Sequence, residues 1–456
     1  MGKGGLSNFS GGFFLSKSRA TSMAFSICGS RPASQVSDLT GAPIIEIMQF
    51  HFIQARRKKV HQIPKYLNGW RSFACLLMLI ALPAAGENPA DKLHREAGVW
   101  DCHNDLAYRV LYEGLDIGKR LPAGHVDIPR LKEGGVDVQV VALFIQNYLY
   151  PDKAARQAFQ LLEAMKVAID RNQGSVELAR TGADVERIVS SGKIAIPLAI
   201  EGGHAIEDRL DLLRKFHELG VSSMTLTHNI SHGWADSSAG TPRWNGLNDL
   251  GREVIREMNR LGMVIDLSHV SDKTFFDVIE ISSDPVIFSH SGCRAINPHR
   301  RNVSDEMLKA LAKNGGVIGI VFELTFLSQR YYQAAQELRA ISRPFFERVP
   351  VIEDLDLRIA VEHLSQGRDW PLEDLPTVED ILDHIDHAVK VAGVDHVGLG
   401  ADMYPRTPSP VGVRGVHDYP NITRGLKARG YSDDDVKKIM GGNFLRIWKQ
   451  VTNKKG

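Results

Sequence analysis

The chain is 456 residues long, enough for one large α/β barrel or two medium domains. Its formal charge of +1 hides an asymmetry: residues 1–72 carry ten Lys and Arg against two Asp and Glu, and residues 73–456 carry 45 against 52. A slightly acidic body argues against a nucleic-acid partner, and four cysteines, two of them (Cys28 and Cys75) near the N-terminus, are too few for a disulfide scaffold.

Residues 1–47 are Ser- and Gly-rich without helical periodicity and read as disordered, or as preceding the biological start. Arg56-Arg57-Lys58-Lys59, Lys65 and Arg71 then precede the apolar run Phe73–Leu82, and small residues follow at Pro83-Ala84-Ala85-Gly86. A positive segment, a short apolar core and a small-residue exit describe a secretory signal peptide. The run falls short of the ~18–20 residues that cross a bilayer, so an uncleaved membrane anchor is the competing reading. The expected division is an N-terminal extension and signal peptide over 1–86 and a single large domain over 87–456. The expected location is periplasmic or secreted.

From residue 97 short β-branched runs recur: 99–105, 136–144, 194–203, 223–228, 263–269, 285–291, 316–322 and 396–402. Helical stretches separate most of them, for example 153–170, 247–261, 273–281, 304–313 and 378–391. Apolar strands alternating with amphipathic helices indicate a parallel sheet of βαβ units, and eight of them suggest a TIM-like (β/α)8 barrel. An open doubly wound sheet is the alternative. The longest interruption, from Glu323 to about Leu375, is a long insertion after strand seven and a candidate lid over the site.

The strand ends carry the chemistry. Asp101, His103 and Asp105 alternate on strand one and so share a face. Glu201 ends strand three, His228 strand four, Asp266 and His269 strand five, His290 strand six and Asp402 strand eight. In a barrel all these ends converge on one mouth. Imidazoles with a pair of carboxylates suit zinc, and two ions ~3.5–4 Å apart can share a hydroxide and clamp a developing oxyanion. Any one such histidine is more often a structural residue; the force lies in several at successive strand exits. Gly202-Gly203 reads as backbone clearance, His204 and His232 as loop residues, Cys102 as packing, and His384 with His387 as a solvated helix face. His-Glu-x-x-His, Gly-x-x-x-x-Gly-Lys and Gly-x-Ser-x-Gly are all missing.

Taken together, these stretches resemble the membrane (renal) dipeptidases, zinc peptidases of the amidohydrolase-like barrels. The resemblance rests on Asp101-Cys102-His103-Asn104-Asp105-Leu106, Ala199-Ile200-Glu201-Gly202-Gly203-His204, Leu226-Thr227-His228-Asn229, the run from Asn259 through Asp266 and His269 to Ser271, Pro285–Ser291, Arg300-Arg301-Asn302-Val303 and Val397–Asp402. It implies two Zn2+ per chain, one held by His103 and Asp105 and the other by His269 and His290, with Glu201 bridging both. It also implies His228 at the substrate carbonyl, Arg301 on the substrate's terminal carboxylate, with Arg300 at the surface, and Asp402 as the acid/base. Dipeptides, L,D-dipeptides among them, are the implied substrates, cleaved by a metal-bridging hydroxide, and a homodimer is the implied assembly.

The chain departs from that family after strand seven, where Val321-Phe322-Glu323 replaces an Asn-Phe-aromatic run and the insertion is longer than in the animal enzymes. An amidohydrolase for β-lactams or N-acyl amino acids is the alternative within enzymes. A secreted zinc-binding protein without catalysis is the alternative outside them.

Overall fold

The computed structural model describes residues 88–336, 375–403 and 408–453. The leader expected over 1–86 lies outside the described residues, as do positions 337–374 of the expected lid.

Eleven strands appear among the described residues, and every pairing between them is parallel. They are β1 (Val99–Asp101), β2 (Val136–Gln139), β3 (Val141–Phe144), β4 (Val176–Leu178), β5 (Ile194–Ile196), β6 (Leu198–Glu201), β7 (Val221–Thr225), β8 (Val264–Asp266), β9 (Ile287–Ser291), β10 (Val317–Ile320) and β11 (Val397–Leu399).

Two of the expected strands are each broken in the middle. β2 and β3 are one extended segment interrupted at Val140, and β5 and β6 are one segment interrupted at Pro197, which has no N–H to give a ladder. β2 pairs with β1 and β5, β3 pairs with β6, and the order then runs β6-β7-β8-β9-β10-β11-β1. The ring therefore closes with eight positions, an α/β barrel as the periodicity predicts. Among the described strands β4 pairs with β5 alone and stands outside the ring; its three residues are too short for a periodic signal.

Helices cover the outside: Ala154–Arg171, Asp249–Leu261, Asp272–Ile281, Asp305–Asn314 and Val378–Ala392 fall within one or two residues of expectation. Most start on a side-chain cap, such as Asn248 accepting from the Gly251 N–H and Ser304 from the Met307 N–H.

Register sets the rim. Asp101 stands opposite Leu399 and Gln139, Glu201 opposite Phe144 and Thr225, and Thr225 opposite Asp266. These strand ends thus form one layer of the barrel, and the residues after each strand end face its mouth.

Candidate metal centre

Strand one ends earlier than alternation predicts. β1 stops at Asp101, and Asp105 is already the residue before the helix Leu106–Glu113. Asp101, His103 and Asp105 therefore do not share a strand face. Asp101 turns into the core, where its carboxylate accepts from Tyr419 Oη (2.8 Å), Ala401 N (2.9 Å) and His103 N (3.3 Å). The turn after it still brings His103 Nε2 within 4.0 Å of Asp105 Oδ1.

Glu201 occupies the middle. Its Oε2 lies 3.5 Å from His103 Nε2, while its Oε1 lies 3.2 Å from His269 Nε2 and 3.6 Å from His290 Nε2. Asp402 Oδ1 completes the first side at 3.8 Å from His103 Nε2. Among the described residues, candidate ligand atoms fall into three groups, each within 4.8 Å: His103 with Asp105 and Asp402, His103 with Glu201 and His290, and Glu201 with His228 and His269. The backbone clearance expected of Gly203 is real, since a Cβ there would stand 2.4 Å from Leu226 O.

The donor set fits divalent cations. His269 Nδ1 lies 3.1 Å from Asn229 Oδ1 and His290 Nδ1 lies 2.8 Å from Ser289 Oγ, so each ring hydrogen is engaged on the far side. That leaves two Nε2 lone pairs facing each other across 3.0 Å, an arrangement that a cation between them and Glu201 resolves. Ligand atoms about 2.0–2.2 Å from a tetrahedral zinc stand roughly 3.3–3.6 Å apart, and the separations of 3.0, 3.2 and 3.6 Å here bracket that value. On the other side, His103 Nε2 and Asp105 Oδ1 are buried without a hydrogen-bond partner among the described residues.

Electrostatics follow from crowding. Burial pushes the Asp105 carboxyl well up, with Glu201 and Asp402 adding to it. Burial likewise raises Asp402, to about 7, with Glu201 and Glu323 adding and His103 and Arg301 opposing. Burial disfavours charge on His103, yet Glu201, Asp402 and Asp105 outweigh it and raise the ring to about 10. Burial holds His269 and His290 well below the usual imidazole range, and lowers His228 to about 4. Several buried acids sharing one pocket is a charge pattern that positive ions balance.

The remaining expected residues lie at the same mouth. His228 packs against His269 with ring centroids 4.4 Å apart, and its Nδ1 lies 3.3 Å from Asn147 Oδ1. Arg301 is buried beside the Phe326 ring, donates from Nη2 to His290 O (3.2 Å) and has an Nε without a partner among the described residues. Arg300 is exposed. His232 is buried with Nε2 on Leu226 O. His384 does not sit on a solvated face: it is fully buried, accepts from Cys293 N (2.8 Å) and donates to Leu327 O (3.0 Å). The segment after β10 folds over that helix and covers it. Asn147, Asn229 and Tyr419 are not legible as site residues, because each acts through a neighbour on another element, and Ser289 is not, because its link to Asp266 crosses between strands.

Comparisons with known proteins place the chain in a family. A family model described as membrane dipeptidase, peptidase family M19, matches residues 87–456. An uncharacterized dipeptidase of Schizosaccharomyces pombe is 31% identical over 380 residues, 78% of this chain and 81% of that protein. The structure of the probable dipeptidase PvdM of Pseudomonas aeruginosa superposes with a TM-score of 0.68 at 27% identity, covering 80% of this chain and 98% of that one. A metallo peptidase of Rhodobacter sphaeroides, liganded with a phosphinate mimic of the dipeptide L-Ala-D-Ala, shares the fold at a TM-score of 0.63 and 24% identity, covering 77% of this chain and 99% of that one. The chain belongs to the membrane dipeptidase family, peptidase family M19, and is a metallo-dipeptidase.

Proposed function

We propose that this centre takes two zinc ions and hydrolyses dipeptides bearing a free C-terminal carboxylate, L,D-dipeptides among them. One observation carries the reading: the two oxygens of Glu201 face different ligand sets, His103 on one side and the His269–His290 pair on the other. His103, Asp105 and Glu201 would hold one ion, and Glu201, His269 and His290 the other. Such ions supply Lewis-acid polarisation of the scissile carbonyl and acidify water at the site.

The chain's own groups do the rest. Asp402, its carboxyl raised by burial to about 7, is matched to taking a proton and returning it to the leaving amine near neutral pH. His228 offers a neutral imidazole on the substrate side, suited to the carbonyl oxygen as charge develops there. Arg301, buried and with donors to spare, suits the terminal carboxylate through its planar fork. The Rhodobacter sphaeroides relative's ligand, a mimic of L-Ala-D-Ala, supports an L,D substrate.

The test is a panel of L,L- and L,D-dipeptides on protein whose metal content is measured. Two zinc per chain with turnover is expected. Arg301→Ala should raise KM steeply for free dipeptides and hardly at all for C-terminally amidated ones. No cleavage at two zinc per chain would sink the reading. Export rests on the leader's pattern and the homodimer on family resemblance; N-terminal sequencing of secreted protein and light scattering test them.

A further inference from the structure

Behind the metal-facing side chains lies a carboxylate with no direct view of the centre. Asp266 ends β8 and is 2% exposed. Its Oδ1 accepts from the backbone N–H of Ser268 (3.0 Å) and Ser289 (2.8 Å), and its Oδ2 from the hydroxyls of Thr225 and Ser289 (2.6 Å). Four donors meet four acceptor positions, so the single hydroxyl hydrogen of Ser289 is committed to Asp266.

The consequence falls on His290. Ser289 Oγ stands 2.8 Å from His290 Nδ1 and, its hydrogen spent, can only accept there. Nδ1 therefore carries the ring hydrogen, and Nε2 keeps its lone pair toward Glu201 Oε1 at 3.6 Å. The His290 N–H donates to Ser268 Oγ (3.1 Å), fixing the backbone from which the ring projects. A carboxylate that merely stapled the core would not need this chain of donors to end on a ring nitrogen.

We infer that Asp266 is a positioning residue: through Ser289 it holds His290 in the tautomer whose Nε2 lone pair faces the centre, an inference that rests on the two-metal reading above. Asp266→Asn keeps the shape and reverses the relay. The amide N–H points at Ser289 Oγ, the hydroxyl turns to donate to Nδ1, and the ring hydrogen moves to Nε2, facing the centre. Ser289→Ala removes the relay without reversing it, so its effect is smaller.

The experiment is zinc uptake by apoprotein, read by chelator competition and elemental analysis, with the apoprotein melting temperature alongside. Wild type should take two zinc. Asp266→Asn should weaken one of the two binding constants on the order of 100-fold and Ser289→Ala about tenfold, the range of outer-shell effects on metal affinity, with the other constant unmoved. Two unchanged constants in both variants overturn the inference, as does equal weakening of both with a collapsed melting temperature. Should Asp266→Asn not fold, Ser289→Ala decides by the same rule: one weakened constant supports, none or both overturns. Wild-type protein that takes up no zinc overturns the two-metal reading itself, and the inference with it.

Discussion

The two halves of the centre share a frame and differ in finish. In each, a buried strand-end aspartate grips an N–H two residues ahead and another on the adjoining strand or just past its end: Asp101 those of His103 and Ala401, Asp266 those of Ser268 and Ser289. Ala401 and Ser268 each precede a site residue with left-handed backbone, Asp402 at φ 51° and His269 at φ 71°. Such backbone costs about 1–3 kcal/mol and persists only where the surroundings over-determine it; here the buried carboxylates do. The far oxygens differ. That of Asp101 ends on Tyr419, and that of Asp266 continues through Ser289 to the His290 ring. One half is thus held by its backbone and finished with crowded carboxylates, the other finished with imidazoles whose hydrogens are already placed.

The largest effect should come where the halves meet. Glu201→Gln leaves one oxygen where two are needed and aims N–H hydrogens at the other side. It should lower kcat/KM on the order of 10⁴-fold or more, since a single preorganised donor is worth about 10²–10³, and zinc content should fall below two per chain. Retention of both ions in this variant would separate the halves and remove Glu201 as their link. Asp402→Asn comes next: kcat should drop about 10²–10⁴-fold, the usual share of a general acid/base, with both ions kept. Loss of an ion instead would make Asp402 a ligand of the first half.

Much of this was readable in the amino-acid order, for a physical reason. In a closed parallel barrel every strand delivers its last residues to one mouth, so periodicity alone gathers Glu201, His228, His269, His290 and Asp402. Strand alternation misled at Asp105, where the start of a helix took the chain out of the sheet, and the helix-face reading misled at His384, whose cover comes from Leu327, 57 residues away in sequence. The parts held by cross-strand register were illegible. That Ser289 joins Asp266 to His290, or that Tyr419 reaches Asp101, depends on which residues stand opposite each other, and spacing within one strand does not encode that.

Acidification should part the halves more gently. The raised His103, at about 10, and Asp105, pushed well above the usual carboxylate range by burial, keep protons in the metal-free centre at neutral pH, and zinc must displace them on entering the first half. His269 and His290, held well below the usual range by burial, have none to lose there. From pH 8 to pH 6 one zinc constant should therefore weaken roughly tenfold per pH unit for each proton displaced, while the other holds. Chelator competition at three pH values measures both. Constants that fell in parallel would mean that the halves do not differ in proton demand.

The smallest effect tests the frame alone. Tyr419→Phe removes the hydroxyl that Asp101 Oδ2 accepts from, in a site where both residues are fully buried. An abandoned buried acceptor costs about 1–3 kcal/mol, so thermal unfolding should shift down measurably. The two N–H bonds on Asp101 Oδ1 remain, however, and no ligand ring depends on the lost hydroxyl. Zinc constants should accordingly stay within about twofold of wild type, in contrast to Ser289→Ala, which cuts a relay ending on His290. If Tyr419→Phe weakened one zinc constant as much as Ser289→Ala does, the far oxygen of Asp101 would also govern a ligand, and the two halves would be finished alike.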